Sequence, residues 1–90
     1  MYTVIARKWF EKTNGNTYHS CEVYKDSELI KRIPYTYGYG EQWKQTAFEI
    51  LQECGEIDPT WDYWNFLQYT RENRNQFLFS VTEVMRKKDL

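Results

Sequence analysis

Ninety residues suffice for one hydrophobic core and not two, so residues 1–90 are read as a single domain. At 41% hydrophobic and 28% charged residues the composition is that of a folded globular chain, and no apolar run approaches the roughly 20 residues of a membrane-spanning helix. A formal net charge of −1 excludes a generally basic, nucleic-acid-coating protein.

The charge is uneven. Residues 1–45 hold seven Lys and Arg against five Asp and Glu, and residues 46–90 hold five against eight, so the fold can still assemble a local basic patch. The 4 Trp, 8 Tyr and 5 Phe are more rings than so short a chain hides. Some are therefore expected at the surface, where binding sites favour them. The N-terminal MYTVIARKW lacks the basic-then-apolar order of a signal peptide, which points to the cytoplasm. Cys21 and Cys54 have no CxxC spacing, and two buried free thiols are expected.

In chain order, YTVIARKWF (2–10) is rich in β-branched and aromatic residues and reads as a strand. Asn14-Gly15 is a strong signal for a two-residue type I′ hairpin, followed by a strand at 17–25. Asp26-Ser27 is a weaker turn signal before a third strand, ELIKRI (28–33). Two-residue loops set a register in which Phe10 faces His19, and Arg7, Glu22 and Lys31 share one charged row. The opposite face then holds Val4, Ala6, Cys21, Val23 and Ile30, which suits a core, together with Lys8 and Arg32, which does not. Snorkelling at the sheet edge or a bulge would accommodate those two cations.

From Glu41 the period becomes helical, with Trp43, Ala47, Ile50, Leu51 and Cys54 on one stripe and Gly55 as its terminator. Asp58-Pro59 has the form of an N-cap followed by a first helical residue, predicting a second helix over 59–71 with Trp61, Trp64 and Leu67 inside. QFLFSVTEV (76–84) reads as a fourth strand whose pairing direction is open. The fold class is thus α+β with order β-β-β-α-α-β. A three-stranded antiparallel meander and a C-terminal strand form a sheet with one face covered by helix.

The chemistry-bearing residues are few. The single histidine, His19, lies between Ser20 and Cys21 on a strand; Ser20 points to the other face, and no third group orients a nucleophile. One His and two distant Cys fall short of a metal site. The expectation is a non-enzymatic protein with no cofactor and no metal. The stretch PYTYGYGEQW is more distinctive. Tyr35, Tyr37 and Tyr39 offer rings and hydroxyls, Gly38 and Gly40 permit unusual backbone and close approach, and the helix start behind them favours an anion. Such a segment can hold a nucleotide or a single strand, or form a protein hot spot. Lys8, Lys12, Lys31, Arg32 and Lys44 are possible basic contacts around it. Glu53, Glu56, Asp58 and Asp62 form a candidate acidic patch, and Arg86-Lys87-Lys88 reads as a solvated tail.

The strings NTYHS and TYGYGEQWKQTA, after a first strand that ends in Lys-Trp-Phe, resemble a family of small phage- and prophage-encoded proteins across residues 1–51. The resemblance marks Asn16, Thr17, Tyr18, His19 and Ser20, and then Thr36, Tyr37, Gly38, Tyr39, Gly40, Gln45, Thr46 and Ala47. It implies an accessory protein of the host cytoplasm that works by binding, such as an anti-CRISPR-like inhibitor of a host defence complex. The expected partner-contacting set is Tyr18, His19, Tyr35, Tyr37, Gly38, Tyr39, Gly40, Gln42 and Gln45. The favoured partner is a host protein or complex. The alternative is nucleic acid or a nucleotide held by the Tyr/Gly segment and the nearby cations, with self-association left open.

Overall fold

The computed structural model describes residues 1–90. Four strands, β1 (Tyr2–Glu11), β2 (Asn16–Lys25), β3 (Glu28–Tyr37) and β4 (Phe77–Val84), form one sheet in the order β3-β2-β1-β4. Helices α1 (Gln42–Glu53) and α2 (Tyr63–Glu72) connect β3 to β4 across one face. The meander is antiparallel, while β4 runs parallel to β1, which the helical crossover makes possible. The predicted α+β class and element order are those observed.

The core follows from strand alternation. Val4 and Ala6 of β1 and Cys21 and Val23 of β2 point to the helices and are fully buried. Trp43, Ala47, Ile50 and Leu51 of α1 meet them, and Phe66 of α2 and Phe77 of β4 close the layer. Each such large apolar side chain contributes roughly 1.5–3 kcal/mol by leaving water. Burial pushes the Cys21 thiol up to about 12, while Cys54, expected to be buried, ends α1 and is exposed.

The turns reverse the predicted order of strength. Asn14-Gly15 is not a two-residue turn: Glu11 pairs with Asn16 across a loop of Lys12 to Gly15, and only Gly15 has positive φ, at 70°. The Glu11 carboxylate accepts from the Asn14 N–H, and the Gly15 N–H donates to the Glu11 carbonyl, closing the longer loop. Asp26 and Ser27, at φ 49° and 73°, form the two-residue I′-like turn instead. The β1–β2 register therefore slips by two from the predicted one, and Lys8 rather than Phe10 faces His19. A slip of two leaves every side chain on its predicted face.

β3 departs further. A register shift beside Val23 turns Lys31 toward the helices and Arg32 toward the open face, so Arg32, not Lys31, lies opposite Glu22. The shift thus exchanges one helix-side cation for another: Arg32 joins Glu22 on the open face, and Lys31, now on the helix side, reaches Glu53 of α1 at 2.7 Å. A second shift sets Pro34 and Tyr35 opposite Ser20, and the strand continues through Tyr37 rather than ending at 33. Proline has no N–H to pair and is tolerated on such an edge.

The second helix begins later than predicted. Asp58 accepts from the N–H and hydroxyl of Thr60 to build a turn, and Asp62 is the real N-cap, in a reciprocal capping box with Asn65. The buried face consists of Phe66 and Thr70, with Tyr63, Leu67 and Tyr69 half-buried, whereas Trp64 is 73% exposed. A ring chain Phe48–Phe66–Phe77, at centroid spacings of 5.2 and 6.1 Å, occupies the place assigned to Trp64, while Trp61, just before the helix, packs half-buried against the core as expected.

Gly15→Val is expected to lower stability by about 1 kcal/mol or more, because a β-branched residue resists positive φ. Asn14→Ala, at a position with no such demand, should stay within about 0.5 kcal/mol. Urea unfolding of both variants checks this, and equal losses would contradict the four-residue loop.

Candidate functional site

The strands outrun the helices. Ten residues of β1 or β2 extend ~33 Å, whereas the twelve of α1 cover ~18 Å. α1 therefore leaves part of the sheet uncovered: at the end formed by the last part of β1, the first part of β2 and the last part of β3, Phe10 and Tyr37 are more than half exposed.

On the helix-free face of this end stand Trp9, Tyr18, Tyr35 and Tyr37. Tyr18 lies between Trp9 and Tyr35 with ring centroids 5.8 and 4.8 Å away and planes within 27°, and Tyr37 meets it edge-on at 5.6 Å. Tyr18 pairs with Tyr37 in the ladder rather than with Tyr35. Trp9 was not among the predicted contacts, although strand alternation from Arg7 already placed it on this face. Beside the rings, Glu22 accepts from the Arg7 guanidinium at 2.8 Å and lies 3.9 Å from that of Arg32. Burial alone would raise the Glu22 pKa, but the hydrogen bonds from Arg7 and Tyr24, with the two guanidinium charges, hold it below its ordinary value.

The chain's last residues cross this face from β4 to β3. The Lys87 ammonium lies 4.4 Å from the centre of the Tyr35 ring, and Arg32 donates to the Leu90 carbonyl oxygen at 2.8 Å. Arg86, Lys87 and Lys88 are exposed, as expected of a solvated run, but the tail they belong to lies along the sheet. Beneath this face Ser20 is fully buried, and its hydroxyl has no hydrogen-bond partner.

On the helix side, His19 is 1% exposed. Its Nδ1 is 3.3 Å from the Gly38 carbonyl oxygen and its Nε2 is 2.7 Å from Thr46 Oγ1. A carbonyl only accepts, so Nδ1–H donates to Gly38 and the Thr46 hydroxyl donates to Nε2, which satisfies a neutral ring. Burial lowers the His19 pKa, the Gly38 hydrogen bond opposes that, and the Lys8 charge lowers it further; the net direction is down. His19 thus reaches no solvent, and it holds the Tyr/Gly segment in place from below.

Gly38 is buried at φ 153°, and a Cβ there would fall 2.3 Å from Gln42 Cγ and 3.2 Å from His19 Cε1. Only glycine fits. Gly40, at φ 63° in open space, serves the turn alone. Tyr39 is 70% exposed at the loop tip, Gln42 is exposed at the helix start, and Gln45 is half-buried. Glu41 precedes α1 without a side-chain cap.

The predicted residues therefore divide between two faces. Tyr18, Tyr35 and Tyr37 converge on the open face, while Gly38, Gly40, Gln42 and Gln45 belong to the helix side. The cations divide as well. Lys31 pairs with Glu53 at 2.7 Å, Arg32 with Glu22, and Lys44 lies 3.9 Å from Glu41 and over the Trp43 and Phe79 rings. Lys8 and Lys12 form no ion pair and line a concavity of about 370 Å³ with Phe10, Thr17, Gly40 and Glu83. The acidic patch is engaged within the fold: Glu53 holds Lys31, Glu56 holds Tyr2 and Lys25, and Asp58 and Asp62 cap turns.

The chain matches no protein-family model, no curated protein and no solved structure. The likeness to phage-encoded proteins thus stands on its motifs alone.

His19 is the one histidine, so its protonation can be isolated. Above about pH 6.5 it is neutral folded and unfolded alike. Below that value the unfolded chain takes a proton that the buried ring resists, so stability should fall from about pH 7 toward 5. Glu22, Asp26, Glu56 and Asp58, held below their ordinary values, lose their contributions only at lower pH. Melting curves across pH should show both steps, and His19→Gln should remove the upper one. His19→Ala should cost about 2 kcal/mol or more through lost hydrogen bonds and a cavity. A wild-type profile flat between pH 7 and 5 would contradict the neutral, buried ring.

Proposed function

We propose that this chain is a non-enzymatic binding protein that docks a partner protein on the projecting end of its sheet. The row Trp9–Tyr18–Tyr35–Tyr37 carries the reading. Tyr37 and Tyr39 are among the most exposed large side chains of the molecule and contribute little to its core. Large exposed aromatics on a rigid strand are the anchors that protein interfaces use.

Two features favour protein over nucleic acid on this face. The rings lean on one another, so their faces are shared and their edges and hydroxyls remain for a partner; a base stacks on faces. Of the two guanidinium groups beside them, that of Arg7 is hydrogen-bonded to Glu22 at 2.8 Å and that of Arg32 lies 3.9 Å from the same carboxylate, which offsets one of the two charges and weakens any phosphate contact. The phage-type resemblance supports a host complex as the partner, with inhibition of a defence system as the consequence. A second reading rests on the other face. The concavity holding Lys8 and Lys12, about 370 Å³ and within the size range of ligand pockets, suits a nucleotide phosphate.

Affinity capture from a prophage-bearing host, followed by mass spectrometry, identifies the partner. Tyr37→Ala should keep fold stability within roughly 0.5 kcal/mol yet weaken that partner by ~2 kcal/mol, about thirtyfold in Kd. Binding should change little between low and moderate salt. Co-purifying nucleotide and a steep salt dependence, abolished by Lys8→Ala with Lys12→Ala, would transfer the role to the concavity.

A further inference from the structure

The two edges of the sheet are defended unequally. The β3 edge carries Pro34, two register shifts, Lys31 and Arg32. Proline, bulges and edge cations are how natural sheets refuse another strand. β4, at the opposite edge, reads FLFSVTEV, with no proline, glycine or cation, and it pairs with β1 without a register break. Leu78 is 54% and Val81 44% exposed on it. An edge of this kind is a template for pairing.

Three charged side chains around β4, Arg71, Arg74 and Glu83, are also in no ion pair, whereas the nearby Lys44 lies 3.9 Å from Glu41. On the helix-side face, Phe77 and Phe79 at its start line a concavity of about 230 Å³ with Arg71 and Arg74, neither of which is in an ion pair. The Lys44 ammonium lies 5.0 Å from the Phe79 ring. At the far end of the strand Glu83 points to the same face, and Lys8, opposite it on β1, is beyond ion-pair distance.

We propose that the chain self-associates through β4, antiparallel to β4 of a second copy, joining two sheets into one. An antiparallel copy reverses the strand end for end and so brings the lone carboxylate to the unmatched cations. With the two-fold axis at Val81, Val81 meets its own copy, Leu78 meets Val84, and Ser80 meets Thr82. Glu83 then lies opposite Phe79, among Arg71, Arg74 and Lys44, once from each side. The register must be even, because an odd one would set the helix-side face of one copy against the open face of the other. The interface is isologous, so each contact occurs twice and the assembly closes as a dimer. It leaves the projecting aromatic end free and does not depend on what docks there.

Sedimentation equilibrium on the full chain over a concentration series tests the proposal. Wild type should show a monomer–dimer equilibrium. Val81→Lys, which places an ammonium at the axis, and Glu83→Arg should each raise the dissociation constant at least about tenfold, with circular dichroism unchanged and a melting temperature equal to that of wild type at concentrations where both are monomeric. Combining Glu83→Arg with Arg71→Glu and Arg74→Glu reverses both sides of the contact and should recover dimerisation. A wild type that remains monomeric throughout overturns the proposal. So does a dimer indifferent to Val81→Lys, which would place the interface elsewhere. A Glu83→Arg chain that dimerises as tightly as wild type overturns the charge-matched register.

Discussion

One imidazole joins the three parts of this molecule. His19 belongs to β2, near the centre of the sheet; its Nδ1 reaches the Gly38 carbonyl at the end of the Tyr-rich strand, and its Nε2 reaches Thr46 on α1. Neutral and buried, it fixes the helix to the sheet and sets the path of the segment between them. The Gly38 N–H donates to the Thr17 carbonyl at 3.0 Å, and Ala47, one residue beyond Thr46, is fully buried. The motif that marks the phage-type resemblance is therefore accounted for largely as a folding joint. Thr17, His19, Gly38, Thr46 and Ala47 build it, and its consequence for function is indirect: it presents Tyr18, Tyr37 and Tyr39 at the projecting end.

Sequence patterning was informative where a physical period controls the outcome. Strand alternation put Val4, Ala6, Cys21 and Val23 inside, and that assignment survived a two-residue error in register because the side-chain period is also two. Helical spacing likewise identified Trp43, Ala47, Ile50 and Leu51 of α1, though it also included Cys54, which caps the helix and is exposed, and missed the buried Phe48. What was not legible depended on competition between signals of similar strength. Asn14-Gly15 scores higher than Asp26-Ser27 as a tight turn, yet the Glu11 carboxylate favours the longer first loop by accepting from the Asn14 N–H. Asp58 and Asp62 are both good caps, and Asp58 is consumed by Thr60. Trp64 was placed inside on hydrophobicity, but the true cap sets a face led by Phe66. The register shift beside Val23 has no local signature, and it exchanges Arg32 for Lys31 on the helix-side face, where the ammonium reaches Glu53.

The site was legible as residues but not as a place. Tyr35 and Tyr37 read as loop tyrosines, whereas β3 carries them across the sheet from the glycines that follow. This separates the stacking groups from the helix start and from Lys8 and Lys12, so the single nucleotide-holding surface implied by the sequence becomes two unlike surfaces. Charge was equally deceptive in one dimension. Glu53, Glu56, Asp58 and Asp62 form a patch on paper; in three dimensions each has a partner or a cap, and none remains to define an acidic face. Lys12, Arg71, Arg74 and Glu83 are in no ion pair, and Lys8 reaches only the Gly40 carbonyl at 3.5 Å; these five lie at the sheet's projecting end or along β4.

A small domain has few apolar side chains with which to offset chain entropy, and burying one more large ring would add roughly 1.5–3 kcal/mol. Tyr37, Tyr39 and Phe10 are nevertheless left more than half exposed, at the sheet end and in the loop that leads into α1. The sheet does not need that overhang to cover its core, which is complete between Val4, Val23, Leu51 and Phe66. Strand length beyond the helices adds surface, not core. Its rigidity comes from the ladder, and the rings on it are held apart from the packing that stabilises the fold. Substitution there is accordingly separable from stability, which is the physical condition for a surface that recognises something else.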